Sequence, residues 1–201
     1  YDAQALYIGV EAYDSEPDGI VATEMRRDSP RLLDEDNFQI ILDTFHDRRS
    51  GYMFVTSPLG AKLEQQVAEE GEGGFRGSSN TSNINVNWDG VWEVRARISD
   101  IGWTAEIAIP FRTLRYPSGA AQTWRLNFQR NIRHRNEESY WAPLPRQFNL
   151  YRLSLAGEMQ GVEVPVQRNL KLTPYVLGAA IRRDAHTRAT TLVDVGADLK
   201  Y

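Results

Sequence analysis

The chain contains no cysteine in 201 residues. That excludes disulfide staples, thiolate-bound zinc or iron–sulfur centres and a cysteine nucleophile, and it leaves the compartment open. Histidine is scarce. Only His46, His134 and His186 are present, and no two stand at the spacing of a helical metal pair. No apolar run approaches the length of a membrane-spanning helix, which excludes helical spans and says nothing of strands. Positive charge is not in excess. The formal net charge is −4, so a nucleic-acid partner held by bulk electrostatics is disfavoured. Neither a Gly-x-Ser-x-Gly elbow nor a phosphate-loop or dinucleotide fingerprint occurs. Gly71, Gly73 and Gly74 lie among acids that would repel a phosphate.

What remains is an ordinary globular composition, 41% hydrophobic and 25% charged, with five Trp and nine Tyr. Period-2 alternation dominates. Leu6, Ile8, Val10 and Ala12 share one face of the first strand. Phe38–Phe45 and Tyr52–Thr56 read as a hairpin with the polar tip His46–Gly51. Ala61–Val67 follows a Pro58/Gly60 turn, and Glu69–Asn87 reads as a long loop. Trp92, Val94, Ala96 and Ile98 alternate with Glu93, Arg95 and Arg97. Trp103, Ala105, Ile107 and Ile109 share a face before Pro110 ends that strand, and Phe111–Tyr116 reads as a short helical turn. Trp124, Leu126 and Phe128 form a further apolar face, and Tyr151, Leu153 and Leu155 another. The pattern predicts an all-β, antiparallel, jelly-roll-like sandwich. Leu170–Ile181 and Thr190–Tyr201 have the length of tilted membrane strands, and the second alternates apolar with polar residues. They read either as two more sandwich strands or as the first hairpin of an outer-membrane barrel. The chain opens in strand pattern without Met or a leader block and closes in strand pattern, as a piece of a longer protein would.

Three segments carry a family resemblance. Gly102-Trp-Thr-Ala-Glu-Ile-Ala-Ile-Pro-Phe111, Ala5-Leu-Tyr-Ile-Gly-Val10 and Asp36-Asn-Phe-Gln-Ile-Ile-Leu-Asp43 resemble strands of carbohydrate-binding module family 9. Further stretches, Leu42–Arg49, Trp88–Trp92, Ile109–Arg115 and Asn136–Trp141, are similar to bacterial outer-membrane proteins of unassigned function that place such a sandwich before a β-barrel. The resemblance implies a sandwich over residues 1–167, with its first strand upstream of Tyr1. It also implies a barrel start over 168–201 and a cell-envelope location with the sandwich in the periplasm. The implied partners are a saccharide and the outer membrane, with no nucleic acid. It implies non-catalytic glycan binding, in which two Trp sandwich a sugar, in the service of saccharide capture or uptake by the parent protein. The alternatives are a structural, interaction or plug domain without a sugar site, and a glycoside hydrolase-associated module.

A sugar offers an apolar C–H face and a rim of hydroxyls, so its site needs aromatic platforms and charged or amide hydrogen-bonders. Trp103 and Trp124 fall on apolar strand faces and read as core; Trp92 is ambiguous. Trp88 and Trp141, in polar segments, are the platform candidates, with Tyr140 beside them. The alternative is that loop Trp residues fold back over the sandwich edge. Six arginines, Arg125, Arg130, Arg133, Arg135, Arg146 and Arg152, crowd one region. Arg133 and Arg135, with Asn136 and Glu137, are the candidate hydroxyl binders, against pairing of these arginines with acids on neighbouring strands. Glu93 and Glu106 are the only carboxylates considered for glycosidase chemistry, and Glu106 reads rather as a partner of Arg95 or Arg97. Asp14–Gly19 mimics half an EF-hand, but Met25 stands where the closing Glu belongs. A structural Ca²⁺ on Asp34, Glu35, Asp36, Asp43 or Asp47 is set against solvated turn acids.

Overall fold

The computed structural model describes residues 1–72, 83–119, 121–165, 171–181 and 190–200. They fall into two compact units, Tyr1–Pro165 and Val166–Tyr201.

The first unit is a two-layer β-sandwich. Its smaller sheet has the order β1 (Ala5–Tyr13), β7 (Gly102–Pro110), β6 (Glu93–Ser99). The larger has β10 (Gly157–Glu163), β8 (Ala121–Ile132), β2 (Asn37–Asp43), β3 (Gly51–Thr56), β4 (Lys62–Val67) and β5 (Ile84–Asn85), with β9 (Glu137–Tyr140) also on β8. All pairings are antiparallel. The long β8 serves two neighbours on one edge, β10 along Ala121–Leu126 and β9 along Gln129–Ile132.

The apolar alternation of β1, β6 and β7 points one face inward, where Val10, Trp103, Ile107 and Ile109 meet Ile40, Leu42, Phe54, Trp124 and Leu126 of the larger sheet. Trp92, Trp103 and Trp124 are all core. The larger sheet is also covered on its other face. There Ile41, Met53, Val55, Leu63 and Val67 pack with Leu32, Leu150 and Leu153. Strands buried on both faces lose the inside/outside alternation, which is why β2 and β3 read as continuous apolar runs.

β7 starts on Gly102, at φ +132°, where a side chain would strike the Ala12 carbonyl of β1. Only glycine allows that approach.

Two segments differ from the pattern-based reading. Tyr151–Leu155 is not a strand; Leu153–Leu155 form a 3-10 turn that buries Leu153 in the second apolar cluster. The strand lies just beyond it, at β10, whose Gly-Glu-Met-Gln-Gly-Val-Glu sequence has little apolar content and a register shift between Gln160 and Val162. The 73–82 part of the Glu69–Asn87 loop lies outside the described residues.

The second unit is an antiparallel hairpin, β11 (Lys171–Ile181) with β12 (Thr190–Lys200). Val176 faces Val195 across it, and Val176, Val193 and Val195 are exposed. No sheet closes into a barrel among the described residues.

Candidate functional site

β2 and β8 run antiparallel, so the start of β2 lies beside the end of β8; Asn37 is the register partner of Asn131. This brings three segments together. β8 leads into the 3-10 turn Arg133–Arg135, which Asn136 closes in a left-handed conformation (φ 50°, ψ 44°), a region Asn tolerates better than most residues. β9 then returns along β8. The turn Pro30–Asp34, tied by Asn131 Nδ2 donating to the Leu33 carbonyl (3.4 Å), forms a second wall. The segment after β9 forms the third. It is held by a reciprocal clasp: Asn127 Nδ2 donates to the Ala142 carbonyl (3.0 Å), and Ala142 N donates to Asn127 Oδ1 (2.8 Å).

The three walls enclose a pocket of about 640 Å³. Arg133, Asn136, Glu137 and Tyr140 all line it, together with Asp34 and Arg146. Phe148 adds an aromatic face at the rim, with the Arg152 guanidinium 4.4 Å from its ring centre. Tyr140 donates to Glu138 (2.8 Å). Burial, and then the Glu138 carboxylate, push its phenol further above the usual range, so the hydroxyl stays a neutral donor. Burial works to raise the Glu35 carboxyl, but hydrogen bonds from Thr23 and the Glu24 amide outweigh it and hold Glu35 below its ordinary value.

The arginines divide. Arg125 binds the Ser154 and Ala156 carbonyls and Glu158. Arg130 donates to the Tyr13 carbonyl (2.6 Å), and Arg152 pairs with Glu70 and Glu72. Arg135 turns away from the pocket towards Ser15, Asp14 and Glu16. Its expected place among the hydroxyl binders is therefore corrected: the loop acids after β1 hold it elsewhere. Arg133 and Arg146 make no ion pair within 4 Å among the described residues, and both line the pocket.

The two platform candidates separate. Trp88 is half-buried against Tyr52 (ring centres 4.9 Å apart) and Phe54 (5.8 Å), and it packs on the main core. Trp141 is 58% exposed. Its ring lies against Gly157 and meets Phe128 edge-on at 6.0 Å. Trp88 thus sits over β3 and Trp141 over β8 and β10, with β2 between. They are not two walls of one cleft, and Trp88, committed to the core edge, is corrected as a platform. Trp141 follows Tyr140 on the same strand line, so it projects from the opposite face to the pocket.

Glu106 stands opposite Arg95 on the outer face of the smaller sheet, with no ion pair between them. Glu93 and Glu106 line a shallow hollow of about 380 Å³ over Gly9.

The acids considered for calcium do not assemble. Asp43 is buried and spends its oxygens on the Asp47 and Arg48 amides (3.2 and 2.8 Å). Burial pushes its carboxyl up despite these bonds. Asp47 accepts from Arg49, Ser50 N and Ser50 Oγ, closing the hairpin tip. Asp34 faces the pocket, and Glu35 is taken by Thr23. Asp36 alone joins a chelating arrangement, with two residues outside that set. Asp14, Asp36 and His134 each place a donor atom within 4.8 Å of the others. Asp14 follows β1, Asp36 precedes β2, and His134 sits in the turn after β8. No spacing within the chain signals this trio. The β2–β8 pairing and the Arg130 bond to the end of β1 help bring the strand ends together.

No protein-family profile matches the chain, and no curated protein sequence matches it. Among solved structures, it is similar to a candidate carbohydrate-binding protein from Bacteroides uniformis. There the TM-score is 0.52 and the identity 14%, over 70% of this chain and 67% of that one. It also aligns with a family 9 carbohydrate-binding module from Caldicellulosiruptor kristjanssonii in complex with cellotriose, at TM-score 0.46 and 16% identity, over 84% of this chain and 73% of that one. At such identities, the likeness to the Bacteroides protein speaks to a common β-sandwich fold alone.

Proposed function

We propose that the sandwich is a non-catalytic saccharide-binding module and that the β8–β9 pocket is its site. One observation carries this reading. Arg133, Asn136, Glu137 and Tyr140 converge on one pocket, where Arg133 and Arg146 have no ion-pair partner among the described residues. Sugar hydroxyls both donate and accept. The Asp34 and Glu137 carboxylates and the Tyr140 oxygen, whose proton goes to Glu138, accept from them, while the arginines and the Asn136 amide donate. Phe148 offers an apolar rim for a ring face. The sandwich fold held in common with a candidate carbohydrate-binding protein supports the same class of ligand.

A glycan array probed with the protein tests it. Binding should appear and should fall at least tenfold in Arg133→Ala and Asn136→Ala. No saccharide bound by the folded protein refutes the reading. The exposed ring of Trp141 supports a second reading, an aromatic platform on the other face. It predicts that Trp141→Ala, and not the pocket variants, abolishes binding.

The hairpin β11–β12 is proposed as the first of an outer-membrane barrel, with the sandwich periplasmic. The exposed valines on one face support this. The full chain should float with lipid vesicles, and Val195→Asp should abolish flotation. Undiminished flotation of that variant refutes the lipid-facing role.

A further inference from the structure

The strand ends behind the pocket hold more unpaired polar atoms than any other place described in the molecule. Asp14 Oδ2, Asp36 Oδ1, and both ring nitrogens of His134 are buried without a hydrogen-bond partner. Both carboxylates have 0% exposure. Each spends only its second oxygen: Asp14 Oδ1 accepts from the Glu16 amide (2.9 Å) and Asp36 Oδ2 from the Val21 amide (2.8 Å). The His134 ring rests against Gly19, where a side chain would crowd it. Its Nε2 is 3.6 Å from Asp14 Oδ1, beyond hydrogen-bond reach. That spacing is close to the ~3.4 Å edge of a tetrahedron with ~2.1 Å metal–ligand bonds.

Leaving four buried polar atoms unmatched is costly. A single cation coordinated at their centre would satisfy several of them together. Two guanidiniums face the cluster, Arg130 at 3.6 Å and Arg135 at 3.8 Å from Asp14, but neither reaches hydrogen-bond distance. Both have other anchors, Arg130 on the Tyr13 carbonyl and Arg135 on Ser15. An imidazole with two carboxylates suits zinc or a similar borderline cation better than calcium, which takes six to eight oxygens.

We infer that Asp14, Asp36 and His134 form a structural site for a divalent transition cation of the zinc class. The ion clamps the turn after β8 to the ends of β1 and β2. Because that turn carries Arg133 and Asn136, the site fixes one wall of the pocket from behind. It does not depend on the pocket's ligand being a saccharide.

The experiment loads the chelator-stripped protein with Zn²⁺ or Ca²⁺, dialyses it, and measures metal content and melting temperature. One zinc per chain should be retained. At a hundredfold excess over its Kd, zinc should raise the melting temperature by about 5–10 °C, and calcium should not. His134→Gln and Asp36→Asn should lose both effects. His46→Gln, which alters the separate His46–Glu158 pair (3.1 Å), should keep them. Where a variant fails to fold, the visible absorption of the Co²⁺-loaded native protein decides, because nitrogen–oxygen coordination gives ligand-field bands. A site filled by water or by the guanidiniums retains no zinc and gives no such bands, and that result overturns the inference. Retention undiminished in folded His134→Gln, or equal stabilisation by calcium, overturns it as well.

Discussion

Glu64 faces the core between the sheets, opposite Phe54 on β3, and its carboxylate has 0% exposure. It accepts from the Trp92 indole N–H (2.9 Å), from the Gly90 amide (3.2 Å) and from Arg27. Arg27 is 41% exposed and also reaches Asp89 (2.5 Å) and the Gly90 carbonyl (3.0 Å). Glu64→Ala strands two buried donors at about 1–3 kcal/mol each. Breaking a buried ion pair costs about 3–5 kcal/mol in total. Arg27 retains Asp89 and water, so the lower end applies, about 3 kcal/mol. Glu64→Gln keeps an acceptor for Trp92 and removes the charge, at about 1–1.5 kcal/mol. Urea titration followed by Trp fluorescence should give that order. In thermal melts of a domain this size, Glu64→Ala should lower the midpoint by about 6–12 °C. A double-mutant cycle with Arg27→Met should return a coupling of about 1–3 kcal/mol. If Glu64→Ala lies within about 0.5 kcal/mol of wild type, the carboxylate is not a structural hub.

Three further outcomes follow from other contacts. Gly157→Val drives its side chain into the Trp141 ring; quenching of Trp fluorescence by iodide should rise, while saccharide binding at the pocket stays unchanged. Asn127→Ala removes both halves of the Ala142 clasp and should cost about 2 kcal/mol, with faster hydrogen exchange at Ala142 as the local signature. The pH response turns on Glu70. Burial tends to raise its carboxyl, but hydrogen bonds from Ser154 and Arg152 outweigh that and hold it below its ordinary value of 4.5. The stability it lends is therefore complete above about pH 4.5 and is lost as the pH falls through the lower folded value. Glu70→Gln should flatten the acid limb of a plot of urea midpoint against pH, and an unaltered limb would count against the ion pair.

Much of the smaller sheet was legible in the sequence, because β6 and β7 bury one face and leave the other wet. Glu93, Arg95 and Arg97 mark the wet side as clearly as Val94 and Ala96 mark the dry one. Glu64 was not legible. Period 2 would assign Lys62, Glu64 and Gln66 to solvent, yet the sheet is covered on both faces and Glu64 is drawn inward by the Trp92 N–H. β10 carries no clear strand signal, because Met159 and Val162 straddle a register shift, which breaks the alternation. In the candidate site, Arg133, Asn136, Glu137 and Tyr140 were found together because they are neighbours along the chain around one tight turn. Polar flanking sequence makes Trp88 and Trp141 look alike, but it does not record the rings that each packs against. Asp14, Asp36 and His134 are distant in sequence and meet only in the fold, where Asp14 follows a strand of the other sheet.

The alignment of Ala5–Tyr13 with Gly102–Pro110 bears on how the chain is made. During synthesis β1 leaves the ribosome well before β7, its neighbour in the sheet among the described residues. The gap of nearly a hundred residues lasts about 5–20 s at ordinary elongation rates. For that interval Leu6, Val10 and Ala12 form an unprotected apolar edge. When β7 emerges, β2–β5 of the larger sheet have been made, while β8, β9 and β10 have not. β1 thus depends on a long-range closure, which is intrinsically slow, and its apolar face is one a chaperone could cover in the meantime.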